Sequence, residues 1–250
     1  MGWWVSELSA RDVLRKVRER VIPNLRYLPK SRVRVCGVCQ SRTLIMAFGE
    51  DEEFHLCIRC RANLRYEMLA RYLRRAFPHV TSLDVLELDF HSPLRGYLGK
   101  ARTYTRSFYR DEIAPGTVRE GGEVCQDITR LTYPDRSLDL IISSDVLEHV
   151  PDAPAAFRES ARVLRPGGAH VFTVPPANET IKRAMIENGH IVHLAPPEYQ
   201  LDPLDAAGVL AFWNFGADLP DRFATEGLTF RVALGPEGVS QRVVWEARRL

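Results

Sequence analysis

Apolar residues at helical spacing mark two candidate helices in the first third of the chain. The first stripe starts after Ser9 and stops before Pro23, so it predicts a short amphipathic helix followed by a linker from Pro23 to Pro29. The second stripe runs from Leu64 to Phe77 and again predicts a helix with one apolar side. We expect this second helix to join the N-terminal part of the chain to its main domain.

Downstream of this helix, short apolar runs alternate with helical stretches. The strand-like runs are residues 85–88, 101–105, 138–143 and 170–174. This alternation predicts an α/β fold, with a parallel sheet covered by helices on both faces. The C-terminal pattern predicts a helix over residues 215–226 and an antiparallel hairpin, made by residues 228–234 and 240–247, that closes the sheet.

Two CxxC pairs lie between the two candidate helices. Cys36 and Cys39 form the first pair, and Cys57 and Cys60 form the second. Four soft thiolate ligands at this spacing are typical of a structural zinc ribbon, in which protein ligands fill every coordination position. Disulfides, free thiols and another metal are the alternatives. The remaining cysteine, Cys125, lies in a strand-like stretch, and we expect it to be a buried strand residue.

These patterns divide the chain into four parts. We expect an N-terminal helix and linker over residues 1–32, a zinc ribbon over residues 33–61 and a connecting helix over residues 62–80. Residues 81–250 form the main domain. A chain of 250 residues is long enough for one full domain with such an appendage.

Composition and charge narrow the functional class. A hydrophobic content of 45% and a charged content of 26% are typical of a globular protein. No apolar run is long enough to cross a bilayer, and the N-terminal stretch lacks the pattern of a secretory signal, so we expect a cytoplasmic protein without membrane contact. Residues 1–80 contain 16 Lys and Arg against 8 Asp and Glu, whereas residues 81–250 contain 18 against 24. The basic front end predicts either phosphate binding or an ordinary solvated helix surface.

Residues 126–175 contain the most informative motif. Their sequence is QDITRLTYPDRSLDLIISSDVLEHVPDAPAAFRESARVLRPGGAHVFTVP. It resembles the class I S-adenosylmethionine-dependent methyltransferases related to quinone-biosynthesis C-methyltransferases, in which an acid, an apolar strand, a "D-LEH" motif and "RVLKPGG" follow in this order. Some bacterial relatives also contain a CxxC…CxxC ribbon. The resemblance implies a Rossmann-like class I methyltransferase sheet and S-adenosylmethionine as cofactor.

The resemblance also implies cofactor contacts for seven residues. Asp127 corresponds to the acid that accepts a hydrogen bond from the adenine amino group, and Ile128 to the apolar residue beside the ring. The other implied contacts are Glu87, Leu88 and Asp89 after the first strand and Ser143 and Ser144 near the methionine part of the cofactor.

Two departures from the family pattern affect this expectation. The glycine-rich loop is replaced by residues 89–93, and we expect Ser92 and Pro93 to start a helix there instead. Phe108 stands where an acid usually binds the ribose hydroxyls, so Asp111 or Glu112 is expected to substitute for it.

Methyl transfer to a hydroxyl or an amine also requires a base that removes a proton. The candidates are His149, His190, His193 and Tyr199. Residues 188–203 are rich in Pro and His, and we expect them to form the acceptor-side wall, with a purely structural role as the alternative.

The favoured function is methyl transfer to a small-molecule acceptor such as a sugar or a secondary metabolite. One alternative is an RNA methyltransferase whose ribbon and basic front end bind phosphate, with Phe54 and His55 as stacking residues. A second alternative is a catalytically silent scaffold that uses the ribbon for protein contacts. The sequence does not fix the oligomeric state.

Overall fold

The computed structural model describes residues 22–202, 205–224, 227–236 and 241–250. The helix expected after Ser9 lies outside these residues. The linker expected from Pro23 to Pro29 is wrong, because a 3-10 helix spans Ile22–Lys30. This helix contacts the second strand of the chain, and such long-range packing is not visible in the spacing of residues.

A small antiparallel sheet carries the four clustered cysteines, and we call residues 33–61 the cysteine module. Its strands are β1 (Arg32–Val35), β2 (Arg42–Ala47) and β3 (His55–Cys57), in the order β1-β2-β3. A 3-10 turn, Glu52–Phe54, precedes β3. Gln40 and Arg61, which directly follow the two CxxC pairs, have positive φ angles of 56° and 65°. Each pair therefore ends in a tight left-handed turn that curls the backbone around the sulfur atoms.

The remaining strands lie in the main domain and its insertions. In chain order they are β4 (Asp84–Glu87), β5 (Thr103–Phe108), β6 (Val124–Cys125), β7 (Leu138–Ser144), β8 (Leu164–Thr173), β9 (Ile181–Lys182), β10 (Ala184–Glu187), β11 (His190–His193), β12 (Tyr199–Asp202), β13 (Asp205–Leu210), β14 (Trp213–Asn214), β15 (Leu228–Leu234) and β16 (Val244–Arg249). Seven of them form the main sheet, in the order β15-β16-β8-β7-β4-β5-β6.

The pairing within the main sheet is parallel from β6 to β8 and antiparallel on both sides of β16. The chain order reverses between β4 and β7, so their carboxyl ends flank the point where open α/β sheets bind ligands. Gly168 lies where β8 passes close to β7, and a Cβ atom there would lie 3.0 Å from the carbonyl oxygen of Asp139. The expected parallel sheet with an antiparallel C-terminal hairpin is confirmed.

Helices cover both faces of the main sheet. On one face lies α1 (Leu64–Ala76), which is capped by Asn63 and buries Met68, Leu69 and Leu73. On the other face lies α3 (Ala153–Val163), whose first turn is capped by the Asp152 carboxylate. Alternate residues of β7 and β8 point into these two apolar cores, as in a sheet that is buried on both sides.

Two predicted helices are shorter than expected. The helix expected to start at Ser92 is a single turn, α2 (Arg95–Leu98), because the Ser92 hydroxyl accepts from the Leu94 amide at 3.1 Å and turns the chain first. The helix expected over residues 215–226 is reduced to α4 (Leu219–Phe223). The backbone before it is engaged elsewhere, since the Gly216 amide donates to Thr180 Oγ1 at 3.0 Å. Residues 109–123, which join β5 to β6, contain no helix.

Three short two-stranded sheets are inserted between β8 and α4. They pair β9 with β14, β10 with β11, and β12 with β13. The turn between β10 and β11 is Asn188-Gly189, and both residues have positive φ angles, 51° and 79°. This is the geometry of a two-residue hairpin turn.

Candidate functional site

The four clustered cysteines form a compact sulfur site. The Sγ atoms of Cys36, Cys39, Cys57 and Cys60 all lie within 4.8 Å of one another. The Cys36–Cys60 and Cys39–Cys57 sulfur distances are 3.6 and 3.9 Å. Four thiolates about 2.3 Å from a tetrahedral zinc ion would lie about 3.8 Å apart. Two of the sulfur distances thus match such a site and the others are close to it, and the amides of Val38 and Cys60 point at two of the sulfur atoms.

Glu87 lies at the carboxyl end of the first strand of the main sheet. It is 1% exposed and accepts a hydrogen bond from the Tyr104 hydroxyl. Burial raises the pKa of Glu87 to about 8. The Leu88 amide donates to the Ile142 carbonyl at 2.8 Å, so the chain stays in the sheet for one residue longer. Asp89 lies beyond the sheet, and its carboxylate accepts a hydrogen bond from the Tyr66 hydroxyl. This bond links the predicted cofactor loop to α1.

Asp127 and Ile128 lie in the loop after β6. The amide and the hydroxyl of Thr129 donate to Oδ1 of Asp127 at 2.8 and 2.7 Å. Both bonds use the same oxygen, so Oδ2 can accept from a ligand amine. Ile128 is 6% exposed beside this carboxylate. A carboxylate acceptor next to an apolar surface suits an adenine ring, whose amino group donates and whose faces are apolar.

Ser143 and Ser144 end β7 at the same edge of the sheet. Both are buried. Ser143 Oγ lies 2.9 Å from Nε2 of the buried His170, and Ser144 Oγ lies 3.2 Å from Oγ1 of Thr173. Their hydroxyls are thus engaged within the sheet, and a contact with the cofactor through them stays a prediction.

Asp111 and Glu112, the expected substitutes for the ribose-binding acid, stay a prediction. Asp111 and Glu112 are exposed in the turn after β5, and the Tyr109 hydroxyl binds Asp111. Phe108 is buried, and the Arg119 guanidinium carbon lies 3.6 Å from the centre of its ring. A cation stacked on an aromatic ring therefore lies at the end of β5, where the family pattern has an acid.

The candidate bases are dispersed. His149 is half-buried, and its Nδ1 lies 2.9 Å from the Leu210 carbonyl oxygen, which fixes the ring against β13. His190 and His193 are exposed on the β10–β11 hairpin, and Tyr199 is 58% exposed on β12. Of these residues, His149 alone follows a strand of the main sheet at its carboxyl edge.

Glu148 is a buried carboxyl group near this edge. It is 1% exposed, and both of its carboxylate oxygens lack a hydrogen-bond partner within the described part of the chain. Burial, and then the nearby Asp145 carboxylate, raise the pKa of Glu148 well above its ordinary range.

A closed ring of four charged groups also lies at this edge, and no sequence pattern predicts it. Arg65 Nη1 lies 2.5 Å from Glu53 Oε1 and 3.0 Å from Asp145 Oδ2. Arg242 Nη1 lies 2.8 Å from Asp145 Oδ1, and its Nε lies 3.3 Å from Glu53 Oε2. We call Glu53, Arg65, Asp145 and Arg242 the charge ring. Its members are far apart along the chain, so no local motif could reveal it.

Comparison with known proteins agrees with this geometry. Residues 67–172 match a family model described as a methyltransferase domain. Residues 67–172 are therefore similar to a methyltransferase domain, and we refer to them by that name. This methyltransferase domain contains most of α1, the strands β4 to β7 and nearly all of β8, and it includes Asp127 and the LEH motif at residues 147–149.

Two curated relatives show the extent of the likeness. A demethylmenaquinone methyltransferase from Mycolicibacterium paratuberculosis is 33% identical over 125 residues, which cover 46% of this chain and 53% of that protein. A glycine/sarcosine/dimethylglycine N-methyltransferase from Actinopolyspora halophila is 26% identical over 152 residues, which cover 58% of this chain and 24% of that protein. The chain thus spans about half the length of the first relative and less of the second.

Solved structures with a similar fold include a methyltransferase from Mesorhizobium loti, with a TM-score of 0.48 and 20% identity over 72% of this chain and 97% of that one. A 1,6-didemethyltoxoflavin-N1-methyltransferase from Burkholderia thailandensis has a TM-score of 0.47 and 14% identity over 72% and 75% of the two chains.

Within the described residues, no helix has the length and apolar character that a bilayer span requires.

Proposed function

We propose that this chain transfers a methyl group from S-adenosylmethionine to an uncharged small-molecule acceptor, and that a zinc ion stabilises the cysteine module. The observation that supports the transfer most directly is the position of Asp127 and Ile128. They follow β6 at the carboxyl edge of a methyltransferase domain, with one carboxylate oxygen available to an adenine amine. When bound, the cofactor supplies an electrophilic methyl group, and the protein binds it and orients the acceptor.

A cavity at the same edge supports an uncharged acceptor. It has a volume of about 330 Å³ and lies beyond the end of β8. Pro175, Pro176, Phe215, Gln241 and Trp245 are among its lining residues, and none of the described lining residues is ionisable. The exposed hairpin of residues 184–193 does not line this cavity. The acceptor-side wall that we infer here therefore differs from the one expected over residues 188–203.

The charges of the front end support a small molecule over RNA. Arg34 lies 2.7 Å from Glu67, and Arg65 binds two carboxylates. Arg74 donates to the carbonyl groups of Gly37 and Val38 in the cysteine module. These guanidinium groups are therefore occupied within the protein, whereas phosphate binding requires cations that are open to solvent. Phe54 is 57% exposed and is the residue on which RNA binding would depend.

Isothermal titration calorimetry with S-adenosylhomocysteine tests the proposed cofactor site. We expect the unaltered protein to bind it and Asp127→Ala to weaken binding at least about tenfold, because a charge-assisted hydrogen bond is worth about 1.5–3 kcal/mol. Asp135→Ala is the matched control, since the Asp135 side chain is 73% exposed and pairs with Arg162. Absence of binding to the unaltered protein would instead favour a silent scaffold, and equal binding by both variants would remove Asp127 from the site.

A filter-binding titration with RNA over a range of salt concentrations separates the two acceptor classes. We expect weak binding that Phe54→Ala does not change. Tight binding that falls steeply with salt and is lost in Phe54→Ala would favour the RNA methyltransferase.

A further inference from the structure

The charge ring joins four separate parts of the chain at the carboxyl edge of the main sheet. Glu53 comes from the 3-10 turn of the cysteine module, Arg65 from the first turn of α1 and Arg242 from the segment before β16. Asp145 directly follows β7. Through the Glu53 side chain, the cysteine module therefore reaches the edge where the methyl donor is proposed to bind.

The ring is shielded from solvent. The side chains of Glu53, Asp145 and Arg242 are 11%, 13% and 12% exposed, and that of Arg65 is 24% exposed. Burial raises the pKa of Glu53, whereas Arg65 and Arg242 oppose this shift. With both carboxylates ionised, two carboxylates and two guanidinium groups balance and the ring is neutral. Removing one partner of a buried ion pair leaves an uncompensated charge that water screens poorly. A substitution in the ring thus changes the net charge of this part of the protein.

Asp145 occupies a position that needs this support. Its φ angle is 53°, a left-handed conformation that costs free energy for a residue other than glycine. The Asp145 amide donates to the Thr173 carbonyl at 3.0 Å, and the Thr173 hydroxyl lies 3.2 Å from Asp145 Oδ1. The two arginines hold the carboxylate from the other side. Glu53 contacts both arginines, so it fixes the position of the Asp145 carboxylate indirectly, through them.

We propose that Glu53 is a positioning residue for the methyl donor, and that the charge ring keeps the carboxyl edge neutral so that a positively charged sulfonium can approach. This inference rests on the proposed function, since it concerns binding of S-adenosylmethionine. Without the Glu53 charge the ring has a net charge of +1, which repels the sulfonium. The demethylated product has a neutral sulfur, so the same change affects it much less.

The test compares the affinities of the donor and of its demethylated product by calorimetry. In Glu53→Gln we expect S-adenosylmethionine to bind about tenfold more weakly and S-adenosylhomocysteine to change by less than about threefold. All titrations use one pH, because burial raises the pKa of Glu148 and its charge must be the same in every comparison. Glu52→Gln is the matched control, because it removes the same charge from the same turn outside the ring. Glu53→Asp retains the charge and is expected to preserve the ratio of the two affinities.

Arg242→Gln provides a second variant with the opposite sign. Its ring has a net charge of −1, so the affinity for the donor should rise relative to that for the product. This variant keeps the inference testable if Glu53→Gln does not fold. The zinc content of each variant reports whether the four cysteines still bind the metal.

The outcomes separate the two proposals. If the unaltered protein binds neither ligand, the proposed function fails. If it binds both, but Glu53→Gln weakens them equally or behaves like Glu52→Gln, the role of Glu53 is refuted and the proposed function stands. A ratio that moves in the same direction in Glu53→Gln and Arg242→Gln would also overturn the inference.

Discussion

The buried carboxylate of Glu246 makes the acid stability of this protein predictable. Glu246 lies in β16 and is 0% exposed. It accepts hydrogen bonds from the Tyr72 hydroxyl, from Arg231 Nε at 2.7 Å and from Arg248 Nη2 at 2.8 Å. The group thus links α1 to β15 and β16. Glu246→Gln keeps the size of the side chain and removes its charge.

The expected effect follows from the pKa of Glu246. Burial opposes ionisation, but the hydrogen bonds from Arg248, Arg231 and Tyr72 outweigh it and lower the pKa from 4.5 to about 2. Such a lowering corresponds to about 3 kcal/mol of stability. The two guanidinium groups are 57% and 39% exposed, so solvent screening reduces this to about 2 kcal/mol. Because the folded pKa is lowered, this stability is present above about pH 4.5 and is lost as the pH falls toward about 2.

Urea unfolding at two pH values tests this reasoning. We expect Glu246→Gln to lower the free energy of unfolding by about 2 kcal/mol near pH 7, and the difference from the unaltered protein to shrink by about 1 kcal/mol near pH 3.5. The control is Glu50→Gln, because the Glu50 side chain is 72% exposed, and it should leave stability unchanged at both pH values. A difference that does not depend on pH would refute the electrostatic account.

Three further predictions concern other parts of the molecule. Cys57→Ser should abolish stoichiometric zinc in metal analysis. The control Cys125→Ser alters a buried strand residue outside the sulfur site and should retain the zinc. Zinc retained by Cys57→Ser would contradict the ligand assignment. Phe157→Ala should lower the free energy of unfolding by about 3–5 kcal/mol, because its ring lies 4.9 and 5.0 Å from those of Phe223 and Phe230; a loss below about 1 kcal/mol would mean that the core refills the cavity. Burial raises the pKa of Glu87 to about 8. The unaltered protein should therefore lose stability as the pH rises from about 4.5 through 8, and Glu87→Gln should not show this loss. Parallel pH profiles of the two proteins in thermal unfolding would contradict this reasoning.

The parts of the fold that local sequence determines were predictable. The strand of residues 138–143 was predicted from its apolar run, and the structure has it as β7. The four cysteines were also recognised from spacing alone, and the structure brings their sulfur atoms together.

The insertion between β8 and α4 was predicted less well, for physical reasons. Asn188-Gly189 is a strong hairpin signal, but the surrounding Pro and His residues suggested an acceptor wall instead. The helix expected over residues 215–226 is short because Asp218 accepts from the Thr180 amide at 2.7 Å. This bond ties residues before the helix to a segment 38 positions earlier. Periodicity within one segment contains no information about such a partner.

The basic front end shows how far charge counts can mislead without the fold. An excess of Lys and Arg over residues 1–80 suggested a surface for phosphate. In the structure, Arg65 instead neutralises Glu53 and Asp145, and Arg34 pairs with Glu67. Of these pairs, Arg65–Asp145 alone joins a cation of the first part to an anion of the second. At the carboxyl edge, Arg65 pairs both with Glu53 of the cysteine module and with Asp145 of the methyltransferase domain. We therefore expect a change of charge in either part to alter the electrostatic potential where the donor is proposed to bind.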